Sequence, residues 1–175
     1  MKKLVKILFL GIIVSITSCN SNDTSTSITE ADLIGTWSLT EFRTENGSFT
    51  GTQNGISVTG SYEATGASFN SSIIFSNNPN TTVASGSFTV NSSVTVLGQT
   101  ETFQETIDNV PNIGGSWALT GDVLSFTEQG ETASAEIISF ENNTLKLKTV
   151  INRDVNLDGT GNASMTGEVY ITLTK

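Results

Sequence analysis

The sequence predicts an all-β protein, an antiparallel up-and-down meander of eight to ten short strands closed into a barrel, with a two-sheet β-sandwich as the alternative. Three observations point there. From Trp37 onward apolar residues recur with a period of two rather than 3.6. Turn formers such as Asn77-Asn78-Pro79-Asn80, Thr120-Gly121-Asp122, Gln129-Gly130-Glu131 and Asn142-Asn143 interrupt that alternation at short intervals. A meander this long also has two edge strands to manage, and closure removes both.

Each element can be justified in order. Ser27-Ile28-Thr29-Glu30 fits a capping box, Ala31 to Ile34 would complete about one helical turn, and Gly35 can supply a left-handed stop. Trp37 opens the first strand. Ala67, Phe69, Ser71, Ile73 and Phe75 alternate with polar neighbours up to the Asn77–Asn80 turn, and Ala84, Phe88 and Val90 mark the next strand with Gly86 among them. Val94 and Val96, followed by Phe103, Glu105 and Ile107, suggest one long bent strand kinked near Gly98. Trp117/Leu119, Leu124/Phe126 and Ala133/Ala135/Ile137 are three further strands. Leu145, Leu147, Thr149 and Ile151 face one way while Lys146 and Lys148 face the other. The last strand is Gly167 to Thr174, with Val169, Ile171 and Leu173 on its inner face.

The N-terminus has a separate organisation. Lys2, Lys3 and Lys6 precede an apolar run from Ile7 to Ile16, and Ile16-Thr17-Ser18-Cys19 closes it at the only cysteine. That order of parts is a secretion signal, and about ten apolar residues fall short of the roughly 20 that span a bilayer. An aliphatic residue, two small residues and Cys19 resemble the bacterial lipobox. The resemblance implies cleavage before Cys19, acylation of its thiol and amine, and a protein held in the bacterial cell envelope, at the outer membrane, by lipid. The expected organisation is a signal peptide over 1–18, a lipidated polar tether over 19–27 and one β-domain over 28–175.

Composition narrows the chemistry. Removing residues 1–18 takes three of the eight basic residues and none of the seventeen acidic ones, leaving a net charge of −12 on 157 residues. Such a surface repels nucleic acid, so no nucleic-acid partner is expected. The absence of histidine removes Ser-His-Asp and Cys-His catalysis and the commonest zinc ligand. Glu101, Glu105 and Asp108 fit a solvated strand face more simply than an acid/base pair. No enzymatic activity is expected.

Gly35-Thr36-Trp37-Ser38-Leu39-Thr40 recurs as Gly115-Ser116-Trp117-Ala118-Leu119-Thr120, each copy placing Trp and Leu on one strand face. Either two strands begin alike because glycine lets the backbone turn beside a core tryptophan, or half a barrel is duplicated. A helical turn running into Gly35-Thr36-Trp37 resembles the opening G-x-W motif of lipocalins. The later Gly115–Leu119, Gly121–Phe126 and Asn143–Leu147 segments resemble the lipocalin-like domains of bacterial surface lipoproteins. The chain departs from that pattern in having no T-D-Y motif mid-chain and no arginine in the final strand to stack on Trp37.

The resemblance implies that Gly35 and Trp37 close one end of an eight-stranded barrel. With an inner face of aromatic, aliphatic and small residues, it also implies a small apolar or amphipathic ligand in a cavity bordered by Phe69, Phe75, Phe88 and Phe126. The alternative is a non-enzymatic structural or interaction lipoprotein whose core those rings fill. Asp154, Asn156 and Asp158 at alternate positions, with Gly159 sixth and Thr160 after it, offer the oxygen ligands of a calcium loop. A hairpin tip rich in turn formers accounts for the same residues. Calcium is the one cofactor the sequence suggests, and protein partners are not identifiable.

Overall fold

The computed structural model describes residues 28–53, 56–110, 113–156 and 162–175. The signal, Cys19 and the tether therefore lie outside the described residues. In chain order the elements are α1 (Glu30–Leu33), β1 (Gly35–Gln53), β2 (Ile56–Ser76), β3 (Thr81–Val96), β4 (Gln99–Asp108), β5 (Gly115–Thr120), β6 (Val123–Glu128), β7 (Glu131–Glu141), β8 (Thr144–Asn156) and β9 (Asn162–Thr174). Among the described residues no helix is long and apolar enough to cross a membrane.

All pairings are antiparallel and eight strands close a ring, β1-β2-β3-β5-β6-β7-β8-β9, with β9 returning to β1. β4 stands outside the ring and pairs with the second half of β3, from Ser87–Asp108 to Val96–Gln99. β5 takes the start of that same β3 edge, through Thr81–Ser116 and Thr82–Gly115 alone. The meander is thus a barrel rather than a sandwich, and the β3–β5 seam is its shortest joint.

Three local expectations are corrected. The helical turn is capped by Thr29 and Asp32, not by Ser27 and Glu30. The Asp32 carboxylate accepts the Thr29 N–H at 2.8 Å and the Thr29 hydroxyl at 2.6 Å. The chain leaves α1 through an extended Ile34 (φ −59°, ψ 132°), and Gly35 at φ +126° is already the first residue of β1. The kink near Gly98 is instead a two-residue hairpin. Leu97 (φ +51°) and Gly98 (φ +78°) both take left-handed backbone, the geometry that matches the twist of paired strands, and so they separate β3 from β4.

The first three strands are long rather than short, at 19, 21 and 16 residues. β1 and β2 stay in the wall because bulges reset their phase. In β2 the register with β3 shifts between Ala67 and Asn70, where Ser68 sits at φ +51°. Buried positions change there from even (Tyr62, Ala64) to odd (Ser71, Ile73, Phe75). Gly86 faces this bulge at φ +85°, and a Cβ on it would lie 1.9 Å from the Asn70 carbonyl oxygen, so no larger residue fits. A continuous core of Trp37, Leu39, Phe42, Ile73, Phe75, Phe88, Leu124, Leu145, Leu147, Met165 and Leu173 fills the barrel axis.

Candidate functional site

One end of the barrel is sealed. Leu33 of α1 and Trp37 of β1 are fully buried, and the Trp37 indole N–H donates to the Leu33 carbonyl at 2.7 Å. A tryptophan in an apolar core needs such a partner for its one polar atom, and the backbone of α1 supplies it. Phe140 packs beside the indole at 6.3 Å between ring centroids.

Lys175, the residue after β9, completes the seal. Its ammonium lies 4.7 Å from the Trp37 ring centroid and donates to the Asp32 carbonyl at 2.6 Å. The final strand has no arginine, yet a cation does sit on the tryptophan, and it arrives one position beyond the strand. Thr29 holds the Asp32 carboxyl below its ordinary range by hydrogen bonding to the charged form, with Lys175 adding a smaller attraction.

The second Gly-x-Trp copy does related work at the seam. Gly115 takes φ +70° where a Cβ would lie 2.2 Å from the Thr127 carbonyl oxygen. Trp117 is buried, its indole N–H donates to the Ser76 carbonyl at 2.9 Å, and its backbone N–H donates to the Asn80 carbonyl at 3.2 Å. Both tryptophans spend their N–H on a main-chain carbonyl beside a positive-φ glycine. That shared device accounts for the echo without a duplicated half-barrel.

The four phenylalanines expected around a cavity pack on one another and on their neighbours. Phe75 meets Trp117 edge-on at 5.7 Å and Phe126 at 6.0 Å, while Phe88 lies 5.4 Å from Phe42 and 5.9 Å from Phe69. Phe75, Phe88 and Phe126 are buried, and Phe69 is partly buried against the same core. Ser71 Oγ and Thr82 Oγ1 are buried without a hydrogen-bond partner.

The opposite end differs. There the β1–β2, β3–β4 and β8–β9 hairpins turn back, and inward-facing Val58, Val94, Val96 and Phe103 are only half-buried. Their face is fixed by register: Tyr62 pairs with Val94 and Val94 with Glu101, Ala64 with Ser92 and Ser92 with Phe103, Val90 with Glu105. Tyr62, Ala64, Val90 and Ser92 are buried, so Glu101, Phe103 and Glu105 stand on the inward face of β4. Glu105 is half-buried and Glu101 exposed.

The outer wall carries the polar chemistry. On β1, β8 and β9, Arg43 lies 4.2 Å above the Tyr170 ring and bridges Glu41 at 2.9 Å and also Glu45. Lys148 bridges Glu168 at 2.5 Å, and the Tyr170 hydroxyl donates to Glu168 at 3.1 Å. The Thr172 hydroxyl and then Arg43 hold the Glu41 carboxyl low. Lys148 above all holds Glu168 low, and Glu168 in return raises Lys148. Farther along the wall a shallow trough of about 410 Å³ runs across β2, β3 and β4. Residues 63–65, 91–93 and 102–104 line it. Gln104 donates to Asn91 across it at 2.8 Å.

Of the residues suggested for calcium, Asp154 and Asn156 belong to β8, paired in register with Ser164 and Asn162. Asp158 and Thr160 lie outside the described residues. Among the described residues no three acidic, cysteine or histidine side chains converge to hold a metal.

An eight-stranded antiparallel barrel, sealed at one end by a tryptophan under a short helix and a cation, defines the lipocalin-like class. A family model for the lipocalin-like domain matches residues 33–147, and the chain belongs to that family. Neither a curated relative nor a solved structure matches the chain. Lys175 carries no local sequence signal. The alternation of Val94, Val96, Phe103 and Glu105 does carry the signal of the half-buried inward shelf of β3 and β4, but a single bent strand has the same pattern.

Proposed function

We propose that this protein is a lipid-anchored envelope lipoprotein whose barrel holds a small apolar or amphipathic molecule at the end opposite α1. One observation carries the ligand reading: inward-facing Val58, Val94, Val96 and Phe103 stay half-exposed at that end, whereas the α1 end is sealed by Trp37 and Lys175. Uncovered apolar surface on the concave side of a barrel is where a small ligand gains most from leaving water. Family membership supports this use of the fold without establishing it.

The test is saturable binding of a neutral apolar fluorophore, N-phenyl-1-naphthylamine, to the chain from residue 19 onward. Phe103→Ser is expected to weaken binding several-fold. A linear, unsaturable response, or one that Phe103→Ser leaves unchanged, refutes the site. A second reading, a filled interaction module, is favoured by the ring packing of Phe42, Phe69, Phe75, Phe88 and Phe126, and unsaturable binding would select it. The anchor is tested separately. Cys19→Ala is expected to leave the membrane fraction, and full retention there overturns anchoring through Cys19.

A further inference from the structure

We infer that the ligand taken at the end opposite α1 is an amphipathic cation, an apolar body bearing an ammonium or guanidinium group, with Glu101 and Glu105 as its charge partners. The inference rests on the ligand-binding reading above and adds the sign of the ligand's charge. Glu101 and Glu105 flank Phe103 on one face of β4, two residues to either side, and that face is continuous with the half-buried Val94 and Val96 of β3. An apolar body lying on Phe103, Val94 and Val96 would place its head group against one carboxylate or the other.

Neither carboxylate has a basic partner among the residues whose side chains are described. Of the basic residues whose side chains are described, Arg43 and Lys148 are committed to the outer wall with Glu41, Glu45 and Glu168, and Lys175 to Trp37 and Asp32. Lys146, on the strand between buried Leu145 and Leu147, is exposed on the outer face. Glu105 is therefore a half-buried carboxyl group, set by register beside Val90, Phe103 and Ile107, with no ion pair among the described residues, and a cation that arrives with a ligand would supply one. The net charge of −12 on the chain from residue 19 acts in the same direction by repelling anionic amphiphiles.

The experiment displaces N-phenyl-1-naphthylamine from the chain with dodecyltrimethylammonium and with dodecanoate, which share an apolar tail and differ in charge, each below its micellar concentration. The expected result is displacement by the ammonium at about tenfold lower concentration, a margin that shrinks as salt rises. In E101Q/E105Q that margin is expected to fall to about twofold or less, with binding of the neutral fluorophore unchanged, which also reports that the variant is folded. The outer-wall pair E63Q/E136Q controls for net charge and is expected to keep the margin. Equal or tighter displacement by dodecanoate, or loss of the margin in E63Q/E136Q to the same degree, overturns the cation inference and leaves the barrel reading standing. Failure of the neutral fluorophore to bind at all overturns both.

Discussion

Replacing Trp117 with phenylalanine tests whether the barrel is closed by one side chain at its shortest joint. β3 and β5 meet only through Thr81–Ser116 and Thr82–Gly115, extended by the Trp117 N–H to the Asn80 carbonyl. The indole adds a hydrogen bond of 2.9 Å to Ser76 and an edge contact of 5.7 Å with Phe75. Phenylalanine keeps much of the ring contact but has no N–H. The lost hydrogen bond costs about 1 kcal/mol, and the smaller ring leaves a void worth about another 1 kcal/mol. Together, about 2 kcal/mol corresponds to a roughly 30-fold change in an opening equilibrium. Native-state hydrogen exchange reads that opening at the backbone amide of position 117. Local opening of the seam predicts exchange about 30-fold faster in Trp117→Phe and unchanged in Trp37→Phe, whose indole bonds to α1 and not to the seam. Equal acceleration in both variants, or wild-type protection at position 117 as strong as at buried Leu173, would show that the seam opens only with the whole domain and would refute the reasoning.

Three further outcomes are expected. Lys175→Met removes the cation above Trp37 and the bond to the Asp32 carbonyl, and should cost about 1 kcal/mol in urea denaturation; no change would mean the closed end does not depend on that cation. Thr82→Val replaces a buried hydroxyl that has no partner with a methyl group of similar shape, and should stabilise the fold by about 1 kcal/mol; a lower urea midpoint would show that the hydroxyl is satisfied in solution. Glu41 and Glu168 are held below their ordinary values, so the stability they lend is complete above about pH 4.5 and is lost as the pH falls through their lower folded values. Lys148 is raised, so its share is present below about pH 10.5 and lost as the pH climbs past its folded value. Glu168→Gln should flatten both limbs of a thermal stability profile, by only a few tenths of a kcal/mol because the wall faces solvent, and an unchanged profile would rule the pair out as a contributor.

The sequence was most legible where strands run without bulges. Leu145, Leu147 and Ile151 of β8 and Val169, Ile171 and Leu173 of β9 are buried on the phase their alternation implies. Gly35 takes φ +126° two residues before the fully buried Trp37, and a glycine at positive φ near a large apolar ring is a local feature that a short motif can carry. The bulge at Ser68 left no such trace, because serine at φ +51° is a conformation imposed by the partner strand rather than preferred by the residue. The Leu97-Gly98 turn was hidden for the same reason at leucine. Lys175 was invisible because its role depends on where β9 ends relative to α1, which is a property of closure and not of any window of sequence.

These differences separate the molecule's stability from its proposed function. Both indole hydrogen bonds, the capped turn and the stacked phenylalanine rings lie between α1 and the middle of β3, where small losses of packing are costly. Glu101, Phe103 and Glu105 lie on β4, outside the closed ring and paired along one edge only. A strand that does not carry the ring can vary its side chains without opening the barrel. Substitutions on β4 should therefore change ligand preference with little change in the urea midpoint, while substitutions at Trp37 or Trp117 should do the reverse. That division makes the charge-selectivity experiment interpretable, because its variants fall on the strand whose loss the barrel tolerates best.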